Sequence, residues 1–438
     1  MTGGMPVLQC DRRPLCLFVI GVMSLMLPRV HAGVRAFVGA RIIPVTAGEI
    51  PDGVLVVDDG VIAAVGSRDQ IPIPAGAEVI DLNGQVLFPG LVCTHSHLGK
   101  VSGGDRSGPI QPDVRALDSV DVRDRSFERA RAGGLTLVNI MPGSGHLLSG
   151  QTIYLKLRDG NTIEDLAVMN ADGSVAGGIK MANGTNAIRE APFPGTRGKA
   201  AALMRQKFLE ARAYREKLAG KADDPPGRDL ALETLVEVLD GSRVVHHHTH
   251  RHDDIVTVLR LQKEFGFKVV LHHVSDAWKV VDEIAAAGAS CSIIVLDSPG
   301  GKLEARDLEW ENGAKLEQGG VLTAFHTDDP VNDSRWFLRS AGLAVRAGMS
   351  RQKALEGMTI AGARMLDLGD QTGSLTVGKQ ADFVILNGDP LSIYTRVQET
   401  WVEGVRVFDL GDPDDRRWAE GGPGAGHGRK AEGCCFSK

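Results

Sequence analysis

The fold turns on residues 243–254, which read RVVHHHTHRHDD. Five histidines fall within the seven positions from His246 to His252. Two readings compete for such a run. It is either a low-complexity tract that holds metal loosely, or the end of a buried strand that aims one histidine at a built site. Val244 and Val245 lead into it as core residues. In an extended chain successive side chains alternate, so His246, His248 and His250 share a face at increasing height. A loose tract needs neither an apolar lead-in nor matching histidines elsewhere, so the partners decide.

The partners exist. GLVCTHSHLG (90–99) ends an apolar run with His95 and His97, two apart and therefore on one face. KVVLHHV (268–274) ends with His272 and His273, which alternation sends to opposite faces, so one of them faces inward. GVLTAFHTDDP (320–330) ends with His326, Asp328 and Asp329. A carboxylate there is either a ligand or a turn and capping group. GGIKMANG (177–184) ends with Lys180. Imidazole is the commonest neutral metal ligand. One histidine of the 246–250 run, level with the strand end, then meets His95 and His97; the spacing leaves open which.

These runs belong to a series: LVCTH, LTLVNIM, TIYLKL, GGIKM, RVVHHH, KVVLHH, CSIIVL and VLTAFH, separated by helical patterns. Short, wholly apolar strands alternating with helices predict a parallel sheet covered on both faces. The class is α/β, and eight such strands suggest a closed TIM-like (β/α)8 barrel over residues 89–366, with its active site at the C-terminal strand ends. GKAAALMRQKFLEARAYREKL and DDIVTVLRLQKEFG read as helices, the second with Asp253 as N-cap and Gly266 just past its end. Residues 33–88 and 367–410 read as short strands with glycine turns, Asp59-Gly60 and Asn83-Gly84 among them. Together they predict a small β-sandwich built from both termini.

The two ends differ from the rest. Arg12 and Arg13 precede an apolar run from Leu15 to Leu27, then Pro28 and Val30-His31-Ala32. That is the pattern of a cleavable signal peptide over residues 1–32, which predicts an exported protein, periplasmic or secreted. The run is too short to span a bilayer comfortably, so no stable membrane span is expected after cleavage. Residues 411–438, rich in Gly, Asp and Arg, read as a disordered tail. The six cysteines make no disulfide framework. A net charge of -6 gives no reason to expect nucleic acid as a partner, and 43% hydrophobic residues is ordinary for a globular protein. The expected partner is a small-molecule substrate.

Neutral imidazoles with a carboxylate suit Zn2+ or a similar divalent ion, one or two. Lys180, if buried, has a depressed pKa and can react as a neutral amine with carbon dioxide. The resulting carbamate can bridge two ions. The simpler alternative is a lysine paired with a carboxylate. Arg197 and Arg251 are candidates to hold a substrate carboxylate bidentately.

Taken together, LFPGLVCTHSHLG, VVLHHVSDAWK, VLTAFHTDDPV and GSLTVGKQADFVILNGDP resemble the amidohydrolase superfamily, over about residues 36–408. The likeness is strongest to its imidazolonepropionase-related and Xaa-Pro-dipeptidase-like members. The resemblance implies a metal-dependent hydrolase that cleaves an amide, cyclic amide or dipeptide-like C–N bond. It implies His95 and His97 as first-strand ligands, His248 and His273 as ligands from the fifth and sixth strands, and Lys180 as a carboxylated lysine. It implies Asp328 as both ligand and general base, with catalysis shared by Asp328, His273 and His248. Dimers or larger rings are common in the family. The chain departs from the pattern in three places. Thr185 stands where relatives often have a glutamate. Arg251 replaces the glutamate usual in deaminases, and His272 stands where near relatives often have an acid. These departures disfavour the rival reading, an aminohydrolase acting on a heterocyclic C–NH2 group. A non-catalytic metal-binding homologue is the other rival, but no ligand is missing.

Overall fold

The computed structural model describes residues 1, 33–101, 103–220, 226–295, 302–421 and 425. The signal-peptide segment, apart from Met1, and residues 422–424 and 426–438 of the expected tail lie outside them. Residues 1–31 and 32–438 form separate units, and the second carries every strand and helix of the described residues.

Among those residues seventeen strands build three sheets. From the N-terminal side come β1 (Arg35–Ile42), β2 (Ile50–Asp58), β3 (Val61–Ser67), β4 (Glu78–Asp81) and β5 (Val86–Pro89). Then follow β6 (Leu91–Ser96), β7 (Leu135–Ile140), β8 (Leu148–Gln151), β9 (Ile153–Lys156), β10 (Ile179–Ala182) and β11 (Val245–Thr249). The last are β12 (Val269–His273), β13 (Ser290–Ile293), β14 (Thr323–Phe325), β15 (Phe383–Leu386), β16 (Val397–Val402) and β17 (Val405–Asp409).

The first sheet joins both ends of the chain in the order β17-β16-β15-β5-β1-β2-β3, with β4 beside β1. Its seam is β5 against β15, antiparallel, with Phe383 opposite Pro89. Asp59 and Gly60 both take positive φ and close the β2–β3 hairpin, as their sequence requires. Asn83 and Gly84 also take positive φ, but they do not close a hairpin. β4 and β5 both run parallel to β1, so this turn only shifts the chain along one neighbour.

The second sheet runs β14-β13-β12-β11-β10-β8, and its five strands from β10 to β14 are parallel. β11 and β12 are buried at every position, which is why they read as unbroken apolar-and-histidine runs. The third sheet is β6-β7-β9. Here TIYLKL, expected as a parallel strand, pairs antiparallel with β7 as β9. No helix separates the two strands, and a parallel return needs a crossover of a dozen residues or more. The second and third sheets are stitched at the rim, where the Asp328 N–H donates to the His95 carbonyl at 3.0 Å.

Two expected boundaries shift. The helix His252–Phe265 ends as predicted at Gly266, whose φ is 80, but its N-cap is Arg251 rather than Asp253. Asp253 instead lies in the first turn, where the helix dipole favours a carboxylate. The segment read as a tail opens with a helix, Pro413–Glu420, capped by the Asp412 side chain. Between the terminal sheet and the rest, Lys156 pairs with Asp382 in a fully buried contact. Asp382 also accepts from Thr372 Oγ1 and from the Glu403 N–H. Among the described residues no helix is long and apolar enough to cross a membrane.

Candidate metal centre

The predicted ligands lie at or near the C-terminal ends of β6, β11 and β12 and just past β14, with Lys180 second of the four residues of β10. His95 and His97 do share a face, their Nε2 atoms 3.3 Å apart. Asp328 Oδ1 lies 3.3 Å from His95 Nε2 and 3.0 Å from His97 Nε2. Lys180 Nζ is 3.1 Å from His95 Nε2. His95, Lys180 and Asp328 are at most 1% exposed, and His97 only 4%.

The donor arithmetic favours a cation here. The Met141 carbonyl, 2.6 Å from His97 Nδ1, only accepts, so Nδ1 carries a hydrogen. His97 Nε2 then offers a lone pair to a carboxylate oxygen that also has only lone pairs. Either a proton or a metal ion must sit between them. Burial alone would push the Asp328 carboxyl up; with a proton between the two, the bond from His97 and the surrounding positive charges hold it below the usual range. Burial, more than Lys180 or the neighbouring rings, drives His95 and His273 well below the ordinary imidazole value, so both rings stay neutral.

His272 and His273 break the alternation expected of them. Both rings lie 5.0 Å from that of His95, so both face inward. The cause is local. His273 has φ 70 and Val274 φ 41, and this left-handed kink at the end of β12 turns the second histidine back inside. Asp328 is held the same way, at φ 53. Non-glycine residues rarely adopt such φ values, and each costs about 1–3 kcal/mol that the surrounding structure must offset.

The histidines stack in layers. Lowest, His246 Nδ1 and His272 Nε2 are 3.0 Å apart, and the Tyr154 hydroxyl is 3.0 Å from His246 Nε2. Above them, His95, His273 and His326 form one group able to hold an ion, beside the group His95, His97 and Asp328. His326 is absent from the predicted ligand set. It is fully buried and oriented by Ser292 Oγ, 2.7 Å from its Nδ1. The signal was present, since it stands two residues before Asp328 at the end of a strand.

His248 is placed differently from the first-strand pair. It meets His273 ring to ring at 4.4 Å, but its ion-holding group is a third one, with His250 and Glu304. Its Nε2 accepts from Asn186 Nδ2 at 3.0 Å. Glu304, which the sequence pattern did not reveal, accepts the Thr185 N–H at 2.9 Å. A carboxylate therefore does stand beside Thr185, carried in from a different loop.

Asp329 settles the other reading of its motif. It accepts from the N–H and hydroxyl of Ser334 and so anchors the loop, while Asp328 faces the histidines. The two arginines proposed for a substrate are spent elsewhere. Arg197 pairs with Asp254 at 3.0 Å and Arg251 with Asp253 at 2.9 Å.

Comparison with known proteins gives the family. The amidohydrolase family profile matches residues 201–408. The crystal structure of an amidohydrolase from Thermotoga maritima superposes with a TM-score of 0.79 and 33% identity, covering 85% of this chain and 99% of that one. The chain belongs to the amidohydrolase family. This amidohydrolase is 29% identical over 374 residues to the imidazolonepropionase of Pseudomonas paraeruginosa, covering 76% of the chain and 87% of that enzyme. It is 26% identical over 391 residues to the amidohydrolase tasK of Hapsidospora irregularis, covering 82% of the chain but spanning only 40% of that relative's length. Membership makes it a hydrolase of carbon–nitrogen bonds.

Proposed function

We propose that this amidohydrolase cleaves an amide, cyclic amide or dipeptide-like C–N bond, with Asp328 as general base. The observation that carries the reading is the meeting of His95 Nε2, His97 Nε2 and Asp328 Oδ1 within 3.3 Å of one another. These are buried ligand atoms with too few protons to satisfy each other. We read the second and third sheets as walls of one (β/α)8 barrel and the terminal sheet as part of a small β-sandwich domain. The rim bond from Asp328 to His95 supports that closure. The opening charged and apolar residues support an exported setting, periplasmic or secreted.

His95, His97 and Asp328 would hold one divalent ion, zinc or similar. Lys180 as a carbamate, with His248 and His273, would hold a second. A bound ion supplies Lewis acidity, lowering the pKa of a water molecule to about 7 and polarising the scissile carbonyl. The chain does the rest. Asp328 Oδ1 takes the proton of the attacking water and returns it to the leaving nitrogen. Its left-handed backbone, tied to β6, keeps that oxygen aimed. His273 and His248 each have a buried nitrogen without a partner among the described residues. They stand beside the reacting group as neutral donors or acceptors.

The test is turnover of dipeptides, lactams and hydantoin-like rings by zinc-loaded protein, with metal content measured in parallel. Asp328→Asn should keep the circular dichroism spectrum and lower turnover by about 10²–10⁴-fold, the usual worth of a general base. Full activity in that variant, or protein that takes up no metal at all, would sink the reading. Ammonia release without ring or peptide cleavage would make the protein an aminohydrolase instead.

A further inference from the structure

A histidine that holds an ion through one ring nitrogen carries its hydrogen on the other, and that N–H needs an acceptor. His97 has one in the Met141 carbonyl, 2.6 Å from its Nδ1. His95 does not. Its Nε2 faces His97, Lys180 and Asp328, while its Nδ1 is buried with no hydrogen-bond partner among the described residues. Unsatisfied buried polar groups are rare and ask for a reason.

A second orphan belongs to the ring beside it. His272 meets His95 edge-on, the centroids 5.0 Å apart at 86°, and its Nδ1 is likewise buried and without a partner among the described residues. Its other nitrogen, Nε2, is 3.0 Å from His246 Nδ1, and His246 Nε2 is 3.0 Å from the Tyr154 hydroxyl. All of these side chains are buried. Burial holds the two rings neutral and pushes the Tyr154 hydroxyl up, so it keeps its proton.

Each neutral ring has one hydrogen for two nitrogens, so the two tautomers are coupled. In one arrangement Tyr154 donates to His246 Nε2, His246 Nδ1–H donates to His272 Nε2, and His272 Nδ1 ends the column as an N–H. In the other, His272 Nε2–H donates to His246 Nδ1, His246 Nε2–H donates to the Tyr154 oxygen, and His272 Nδ1 ends the column as a lone pair. Both arrangements hold the same protons. Only the second offers an acceptor to the N–H of His95. Without the Tyr154 oxygen that second arrangement strands a buried N–H on His246, whereas the first strands only a lone pair.

We propose that Tyr154, His246 and His272 are positioning residues for the ion at His95. The column presents His272 Nδ1 as the acceptor for His95 Nδ1–H, which keeps the His95 Nε2 lone pair toward the ion. None of the three is a catalytic residue; each acts through His95. This rests on the reading of His95 as an ion ligand, which the same experiment checks separately.

The readout is the zinc affinity of the purified chain, measured by competition with a chelating dye, beside the unfolding midpoint of the metal-free protein. His272→Phe keeps a buried ring without the acceptor and should weaken zinc binding on the order of 10–100-fold, the usual worth of a group that orients a ligand. His272→Gln returns a neutral acceptor and should restore most of that loss. Tyr154→Phe removes one oxygen and should weaken binding on the order of 10-fold. It should add nothing in the His272→Phe background, where the column is already cut. Wild-type affinity in His272→Phe overturns the proposal. So does a glutamine variant as weak as the phenylalanine one, or additive losses at Tyr154 and His272, since packing alone would give both. If the His272 variants do not fold, Tyr154→Phe decides, and an unchanged affinity overturns the column. Protein that binds no zinc at all sinks the ion reading and this proposal with it, whereas zinc held equally by every variant sinks this proposal alone.

Discussion

Lys180 is a primary amine with no access to solvent, 3.1 Å from one imidazole nitrogen and 3.0 Å from the Met141 sulfur. Desolvation disfavours the charged form of a buried amine. A neutral amine attacks carbon dioxide; the new N–C bond forms, one proton leaves to solvent, and a carboxylate replaces a base. Intact-mass or density measurement on protein loaded with metal and bicarbonate should show the added carbon dioxide. Lys180→Ala should then hold fewer ions per chain than the wild type. An unmodified lysine with a single ion bound rejects the bridged pair and leaves a one-ion site at His95, His97 and Asp328. At this scale the sequence was informative wherever strand alternation governs, as for His95 and His97. It misled where the backbone leaves the strand, because nothing in HHV announces that His273 and Val274 turn left-handed. Glu304 was illegible for another reason. It is brought to Thr185 by a loop more than a hundred positions away, and loop paths have no periodicity to read.

β10 and β11 show how closely the strands must approach for the site to form. A Cβ on Gly178 would lie 2.3 Å from His246 Cδ2 and 2.6 Å from the Val244 carbonyl oxygen. The carbonyl belongs to the neighbouring backbone and cannot step aside without opening the parallel pair that sets Lys180 level with His246. Gly178→Ala should therefore cost about 1–3 kcal/mol, the usual penalty of overpacking a core. It should also reduce metal uptake, since the strand carrying Lys180 would shift. Urea unfolding with metal analysis checks both, and an unchanged unfolding midpoint would show that the strands part easily. The parallel strands were legible because burial on both faces leaves wholly apolar runs. β9 was not, since its residues are equally apolar and only its partner's direction differs. Pairing direction is decided by the length and helicity of the connection, and the short link through β8 has no helix to carry the chain back.

Across the whole molecule, buried histidines make stability depend on acid. Burial, with Lys180 next in effect for His246, pushes the rings of His246 and His247 down to about 3, against about 6.5 for an exposed imidazole. The folded value lies below the unfolded one, so between the two the unfolded chain binds more protons. Stability is then complete above about pH 6.5 and falls as the pH drops toward 3, each ring contributing a slope of up to about 1.4 kcal/mol per pH unit. Neither residue is in the proposed ligand set, so the effect belongs to the fold and persists after the metal is stripped. Measured by urea unfolding of metal-free protein, the midpoint should fall steadily from about pH 7 to about 5, the interval in which exposed imidazoles charge. His247 offers a clean control. Its Nδ1 bonds only to the backbone carbonyl of His248, 3.0 Å away, so His247→Phe removes one titrating ring while keeping a buried aromatic at that place. The variant should show a shallower decline over the same interval. An unchanged slope would mean that this ring charges as readily in the folded protein as in the unfolded chain, and that the interior of the sheet admits water.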